Sequence, residues 1–141
     1  MTEPVYLLGG LQTDFARNWA REGLEIADVM RDTVIGGLVQ ARLEARDVEV
    51  AHVGNFVAEL FCNQGHLGGV FAAAHPDLAG LPAARHEGAC ASGSLALLAA
   101  MADIESGRYG LAAVVGIEQM RNVPGEQAAQ YIGGPAMWAG H

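Results

Sequence analysis

The chain has no lysine. All eight of its cations are arginines, set against 16 acidic side chains, for a formal net charge of −8. Phosphate backbones are bound by clustered cations, so this balance excludes nucleic acid as a partner and argues against anionic membrane surfaces. Cysteine is scarce as well. Cys62 and Cys90 are the only two and no C-x-x-C is present, which excludes a disulfide framework. Aromatic residues make up 6% of the chain while glycine numbers 19, a balance suited to closely packed helix–sheet layers rather than a β-sandwich. Long hydrophobic runs are missing: the longest uncharged one, about 89–102, is too short to span a bilayer, so no membrane insertion is expected. Met1-Thr2-Glu3-Pro4 is acidic and lacks the charged-then-apolar order of a signal peptide, so a reducing, cytoplasmic setting is the expectation. There is no internal repeat and no low-complexity tract. The five histidines, His52, His66, His75, His86 and His141, lack metal-ligand spacing; they read as incidental, and no metal site is expected.

What is present is an alternation of apolar runs and amphipathic stretches. With 141 residues, 51% of them hydrophobic, the chain is one domain or part of a larger one. Val5 to Leu8, closed by Gly9-Gly10, reads as a buried strand. Leu11 to Gly23 reads as a loop pinned by Phe15 and Trp19. Glu25 to Glu44 is amphipathic, with Ile26, Val29, Met30, Val34, Leu38 and Ala41 near one face. Gly36-Gly37 within it points to close contact with a neighbouring element. Ala51 to Val57 is a second strand, Gly68 to Ala74 a small-residue helix stopped by Pro76, and Pro82 to Glu87 a third strand. Ala91 to Ser106 is a helix whose first three turns carry no charge, which predicts burial on all faces. Leu111 to Ile117 is a continuous apolar strand of the kind covered on both sides. Beyond it the pattern dissolves into Gly- and Pro-rich chain with a short helix at Glu126 to Tyr131. The order βαβαβαβ implies a parallel, three-layer α/β arrangement. Arg85, Arg108 and Arg121 read as solvated surface charges.

The chemically informative stretch is Arg85 to Ser94. An extended run ends at Gly88-Ala89, Cys90 follows, and the apolar helix begins directly behind it. A thiol at a strand–turn–helix junction sits where unpaired N–H groups and the positive end of the helix dipole favour thiolate and can hold a developing oxyanion. Gly93 and Ser94 keep the first turn slim for close approach of a substrate. The alternative is a buried, space-filling cysteine.

Gly88-Ala89-Cys90-Ala91-Ser92-Gly93 resembles the nucleophile motif of the thiolases, which join or cleave β-ketoacyl thioesters. Gly9 to Phe15 resembles that family's first strand and following loop. Gly54-Asn55-Phe56-Val57 with Gln64 to Gly68 resembles its second strand and Gly-rich stretch. Gly116 to Pro124, with Glu118-Gln119-Met120, resembles its fourth strand and the turn into its loop domain. The flavour is closest to sterol-carrier-protein-type thiolases, although Glu87 stands where many thiolases have Asn.

The resemblance implies a thiolase-like layered α/β fold of which this chain holds the first half. Residues 1–118 would be an N-terminal half-domain lacking its last strand, and 119–141 the start of the loop domain. It implies that Cys90 is the nucleophile, with its backbone N–H in an oxyanion hole, and that acyl-CoA and CoA are the substrates, with no permanently bound cofactor. It also implies a homodimer or tetramer, with the stretch near Arg85 to Glu87 at the dimer contact. The family's activating histidine, second cysteine and remaining oxyanion donors lie in a half that is not in this sequence. The substrate-binding residues are unassigned, and catalysis by the isolated chain is not expected. The alternatives are a non-catalytic or split subunit pairing with a complementary thiolase-like chain, a cysteine hydrolase, and a relative of the ketoacyl or hydroxymethylglutaryl-CoA synthases.

Overall fold

The computed structural model describes residues 4–137. Its centre is Val50–Gly54 (β1), a strand in which all five residues are buried. Ala83–His86 (β2) and Ala112–Gly116 (β3) pair with it on either side, both parallel, in the order β2-β1-β3. Parallel neighbours need crossover connections, and helices supply them. Ala58–Cys62 (α2) and Leu67–Ala72 (α3) link β1 to β2, and Ser92–Glu105 (α4) links β2 to β3. Ile26–Ala41 (α1) packs with α3 on one side of the sheet, and α4 lies against all three strands. The fold class expected from the sequence is the one observed. Met30, Val53, Leu67, Phe71 and Leu78 form the fully buried heart of the core.

Local signals account for these elements. The first turn of α1 is closed by Asp28, whose carboxylate accepts from the Glu25 N–H at 3.0 Å. The helix ends at Arg42, which takes the left-handed conformation (φ 56°) and returns its N–H to the Leu38 and Val39 carbonyls. Within α1, a side chain at Gly36 would run into Leu11, which is the close contact that the glycine pair pointed to. Gly107 (φ 72°) caps the segment after α4, as its position suggested.

Five expectations are corrected. Val5 to Leu8 is not a strand. It runs without a sheet partner, and Tyr6, Leu7 and Leu8 are exposed. The physical reason is distance from an edge: a cavity of about 480 Å3, lined by residues 4–11 and 110–116 among others, separates it from the free outer edge of β3. The second strand stops at Gly54, and Ala58–Cys62 is helical instead. Asn55 makes the break, because its side-chain oxygen accepts from the Ala58 N–H at 3.1 Å and so starts α2. Burial of α4 on all faces is not found. Ser92, Ala96 and Ala100 are buried while Leu95, Leu97 and Leu98 are exposed, since the described chain supplies one layer against it. On β3, Val114 is 36% exposed, so that strand is covered less fully than its apolar run suggested. In the 11–23 loop only Trp19 packs on the core, with the Arg17 guanidinium 3.8 Å above its ring; Phe15 projects outward.

After β3, Gly125–Tyr131 (α5) confirms the expected short helix, followed by one π-helical turn, Ile132–Ala136. His141 and the rest of 138–141 lie outside the described residues.

A close backbone approach brings β1 against the start of α4. A Cβ on Gly54 would lie 2.6 Å from the Gly93 Cα, against backbone that cannot swing aside, whereas a Cβ on Gly93 would meet nothing within 4 Å. Gly54→Ala is therefore expected to cost about 2 kcal/mol or more by overpacking. Gly93→Ala should be neutral or stabilising by up to about 1 kcal/mol, as for an unhindered helical glycine. Urea unfolding of the two variants checks this asymmetry.

Candidate active site

Between the end of β2 at His86 and the start of α4 at Ser92, the chain makes one 3-10 turn, Ala89–Ala91. Ala89 enters it at φ 49°, a left-handed conformation that a residue with a Cβ adopts at a cost. Neighbouring polar groups hold it there. The Ala89 N–H donates to the Glu87 carboxylate at 2.8 Å, and the Ala91 N–H to the Gly88 carbonyl at 2.9 Å. The Ser92 hydroxyl donates to the Ala89 carbonyl at 2.7 Å while accepting from the Gly88 N–H at 3.0 Å. Glu87, which departs from the usual family residue, thus has a local task. Ser92 is buried beneath the turn, and Cys90 stands exposed on top of it. The strand–turn–helix placement of Cys90 is as expected, and among the described residues nothing buries its side chain.

Cys62 is the contrast. It is half-buried against the loop after β3, its Sγ 3.6 Å from the Gln119 carbonyl oxygen. Burial pushes its thiol pKa up, and the Glu118 carboxylate adds to that.

The carboxyl ends of the strands are tied together by groups the sequence did not single out. Asn55 is fully buried; its amide donates to the Ile117 carbonyl at 2.7 Å, and its backbone N–H to the His86 carbonyl at 3.1 Å. Arg85 donates to the Asn55 carbonyl at 3.3 Å and the Phe56 carbonyl at 2.8 Å, and pairs with Glu59. Glu118 accepts from the Phe56 N–H, and burial raises its carboxyl pKa. Arg85 is therefore a clamp and not a solvated charge. Arg121 is exposed, as expected, and also donates to the Phe15 and Arg17 carbonyls at 3.2 Å each. Arg108 stays exposed beside Tyr109. Asn55 could have been found from sequence, as a polar residue directly after an apolar strand and three before a helix. Arg85 gave no such signal.

Among the described residues no histidine hydrogen-bonds to Cys90. His66 is the left-handed residue (φ 52°) before α3, and His75 accepts from the Asp77 N–H at 3.1 Å. His52 and His86 are not incidental: they hydrogen-bond one another at 2.8 Å. Among the described residues no group of three or more His, Cys, Asp and Glu could hold a metal ion. No described helix is long and apolar enough to cross a membrane.

The site is thus an exposed cysteine on a strained turn, between a strand of a parallel α/β sheet and a helix rich in small residues. The family follows from comparison of the whole chain: residues 5–139 match the thiolase N-terminal domain, and the chain belongs to the thiolase family. It is 33% identical over 119 residues to an acetyl-CoA acetyltransferase of Methanothermobacter thermautotrophicus, covering 84% of this chain and 30% of that protein. An acetyl-CoA acetyltransferase of Methanocaldococcus jannaschii is 34% identical over 119 residues, covering 84% and 29%. A non-specific lipid-transfer protein-like 2 of Caenorhabditis elegans is 30% identical over 120 residues, covering 84% and 28%. The chain spans less than a third of the length of these relatives.

The difference between the two thiols is directly measurable. Iodoacetamide at about pH 7, in excess over the folded chain, is expected to modify Cys90 at least about tenfold faster than Cys62, because thiolate fraction and access set the rate. Peptide mass mapping of a time course gives both rates, and equal rates would refute the assignment of Cys90 as the reactive thiol.

Proposed function

We propose that this chain carries the nucleophile of a thiolase-type acyl-CoA acyltransferase, and that Cys90 is that nucleophile. The observation that carries the reading is the exposure of Cys90 on the turn between β2 and α4 in a chain of the thiolase family. The Cys90 thiolate attacks the carbonyl carbon of an acyl-CoA. The carbonyl electrons move onto oxygen, then return as the bond to the CoA sulfur breaks, leaving an acyl-cysteine. In condensation, the α-carbon of a second acyl-CoA, having lost a proton, attacks the acyl-cysteine and frees the Cys90 sulfur. In thiolysis the same steps run in reverse. Of the turn's three N–H groups, those of Ala89 and Ala91 are engaged by Glu87 and the Gly88 carbonyl. That of Cys90 is assigned to the oxyanion, where a preorganised donor contributes most. No resident cofactor is needed, because the thioester supplies the activated acyl group.

The reading requires a base to take the thiol proton and an acid–base group for the α-carbon. The hydrogen bonds of His52, His75 and His86 go elsewhere. We therefore assign both roles to a complementary thiolase-like portion, in the same polypeptide or in a separate chain. Two features support a place for it: the apolar cavity between residues 4–11 and β3, and the outward leucines of α4. The sheet edge at β2 is the surface we assign to the homo-oligomer. The split-subunit reading shares this site and differs only in where the complementary portion is encoded.

The test is denaturing intact-mass spectrometry of the protein from its native source, before and after incubation with acetyl-CoA. A gain of one acetyl mass that maps to Cys90 and disappears in Cys90→Ala is the expected result. Acylation elsewhere, or ester hydrolysis with no acyl-enzyme and no need for CoA, would overturn the reading in favour of a hydrolase.

A further inference from the structure

A line of three titratable side chains links β1, β2 and α4. His52, in the middle of β1, is 5% exposed. Its Nε2 lies 3.0 Å from Oδ2 of Asp103 on α4, and its Nδ1 lies 2.8 Å from Nε2 of His86 at the end of β2. The two rings are tilted by 41° with centroids 5.0 Å apart. Two of these elements also carry Cys90, β2 leading into its turn and α4 leading out, and β1 packs against both.

Hydrogen-bond accounting fixes the proton positions. The Asp103 carboxylate accepts, so His52 Nε2 carries a proton. Neutral His52 then offers a lone pair at Nδ1, so His86 Nε2 must donate. The remaining atom, His86 Nδ1, is left with its lone pair free, and it is not among the described side-chain atoms that are buried without a partner. A first added proton binds there, and the shared proton between the rings can shift from His86 Nε2 to His52 Nδ1. That places an imidazolium beside the Asp103 carboxylate and breaks no heavy-atom contact. A second proton cannot be accommodated: both facing nitrogens would carry N–H, and the link between the rings must open.

We propose that Asp103, His52 and His86 are positioning residues for Cys90, a relay that joins the two arms of the cysteine turn, stores one proton intact, and releases the β2 arm when a second arrives. Burial first, and then the neighbouring His52, lower the His86 pKa, while the Asp103 carboxylate opposes this. The charged or titratable groups facing His52 are His86 from β2 and Asp103 from α4; the β3 residue beside it in register is Val114, which is neutral. The inference goes beyond the acyl-transfer reading and needs only that Cys90 be an accessible thiol.

The experiment is a pH titration of the full chain labelled with 15N-histidine, paired with the rate of Cys90 modification by 2,2′-dithiodipyridine, a disulfide that still reacts in acid. Near neutral pH, His52 and His86 should both show the Nε2–H tautomer. They should then titrate in two steps separated by about one pH unit or more, as interacting sites do. Cys90 reactivity, corrected for its thiolate fraction, should hold through the first step and change at least about threefold across the second. Asp103→Asn should move the first step to lower pH, the effect of removing an adjacent opposite charge. Independent titration of the two rings, or Cys90 reactivity that follows only its own thiol ionisation, would overturn the proposal. Both readouts come from the unsubstituted chain, so the proposal stands or falls even where the Asp103 variant fails to fold. Neither readout involves acyl transfer, so failure here is distinguishable from failure of the enzymatic reading.

Discussion

The approach of Gly54 to Gly93 is the constraint on which the rest of the structure depends. It brings the backbone of the central strand against the first turn of α4, with no side chain on either residue to hold them apart. Because β1 is fully buried and hydrogen-bonded on both edges, its end is a fixed point. The helix that leans on it is fixed in turn, and so is the turn carrying Cys90. A reactive thiol must be both exposed and immobile, and those demands conflict on an ordinary loop. Here the buried strand supplies immobility through a glycine–glycine contact, and the 3-10 turn supplies exposure.

Around that point the polar groups are arranged to keep the strand ends in register. Asn55 takes the Ile117 carbonyl on one side, and its N–H takes the His86 carbonyl on the other. Arg85 closes the same end from β2, satisfying carbonyls that have left the ladder. An unpaired buried backbone group costs about 1–3 kcal/mol. These side chains therefore act where the ladder ends and the loops begin. The strain at Ala89 is held by the same means: a left-handed non-glycine residue persists because Glu87 and Ser92 bind the amides and carbonyl around it.

Much of this is legible in the sequence, for identifiable reasons. The cysteine turn, the parallel strands and α1 follow from local signals: apolar runs of strand length, a 3.6-residue period and small residues at a turn. What local signals do not encode is pairing. Val5 to Leu8 has the composition of a strand, but a strand exists only where an edge receives it, and a cavity lies there instead. Ala58–Cys62 escapes a sequence reading because five residues are too few to show a 3.6-residue period, and only Asn55, whose side chain accepts from the Ala58 N–H, marks the change. The His52–His86 link joins residues 34 apart, and its third member, Asp103, is 51 residues from His52. No spacing rule connects them, because their proximity comes from strand order. A histidine inside the otherwise apolar Val50–Gly54 is the one available clue, since a buried polar group must find a partner.

The remaining tension is between the apolar pattern of α4 and its surroundings. The sequence carries no charge over its first three turns, yet Leu95, Leu97 and Leu98 stand outside the core. At roughly 25 cal/mol per Å2 of apolar surface, three leucines facing water forgo several kcal/mol that burial would return. Helices patterned for one covered face place polar residues opposite it, as α1 does with Asp28, Arg31 and Asp32. The contrast between α1 and α4 within one chain shows that the pattern is specific to the helix and not a property of the composition. A helix written for cover on both sides, beginning directly behind an exposed thiol, places the second covering layer on the side where the chemistry proposed for Cys90 needs its missing acid and base.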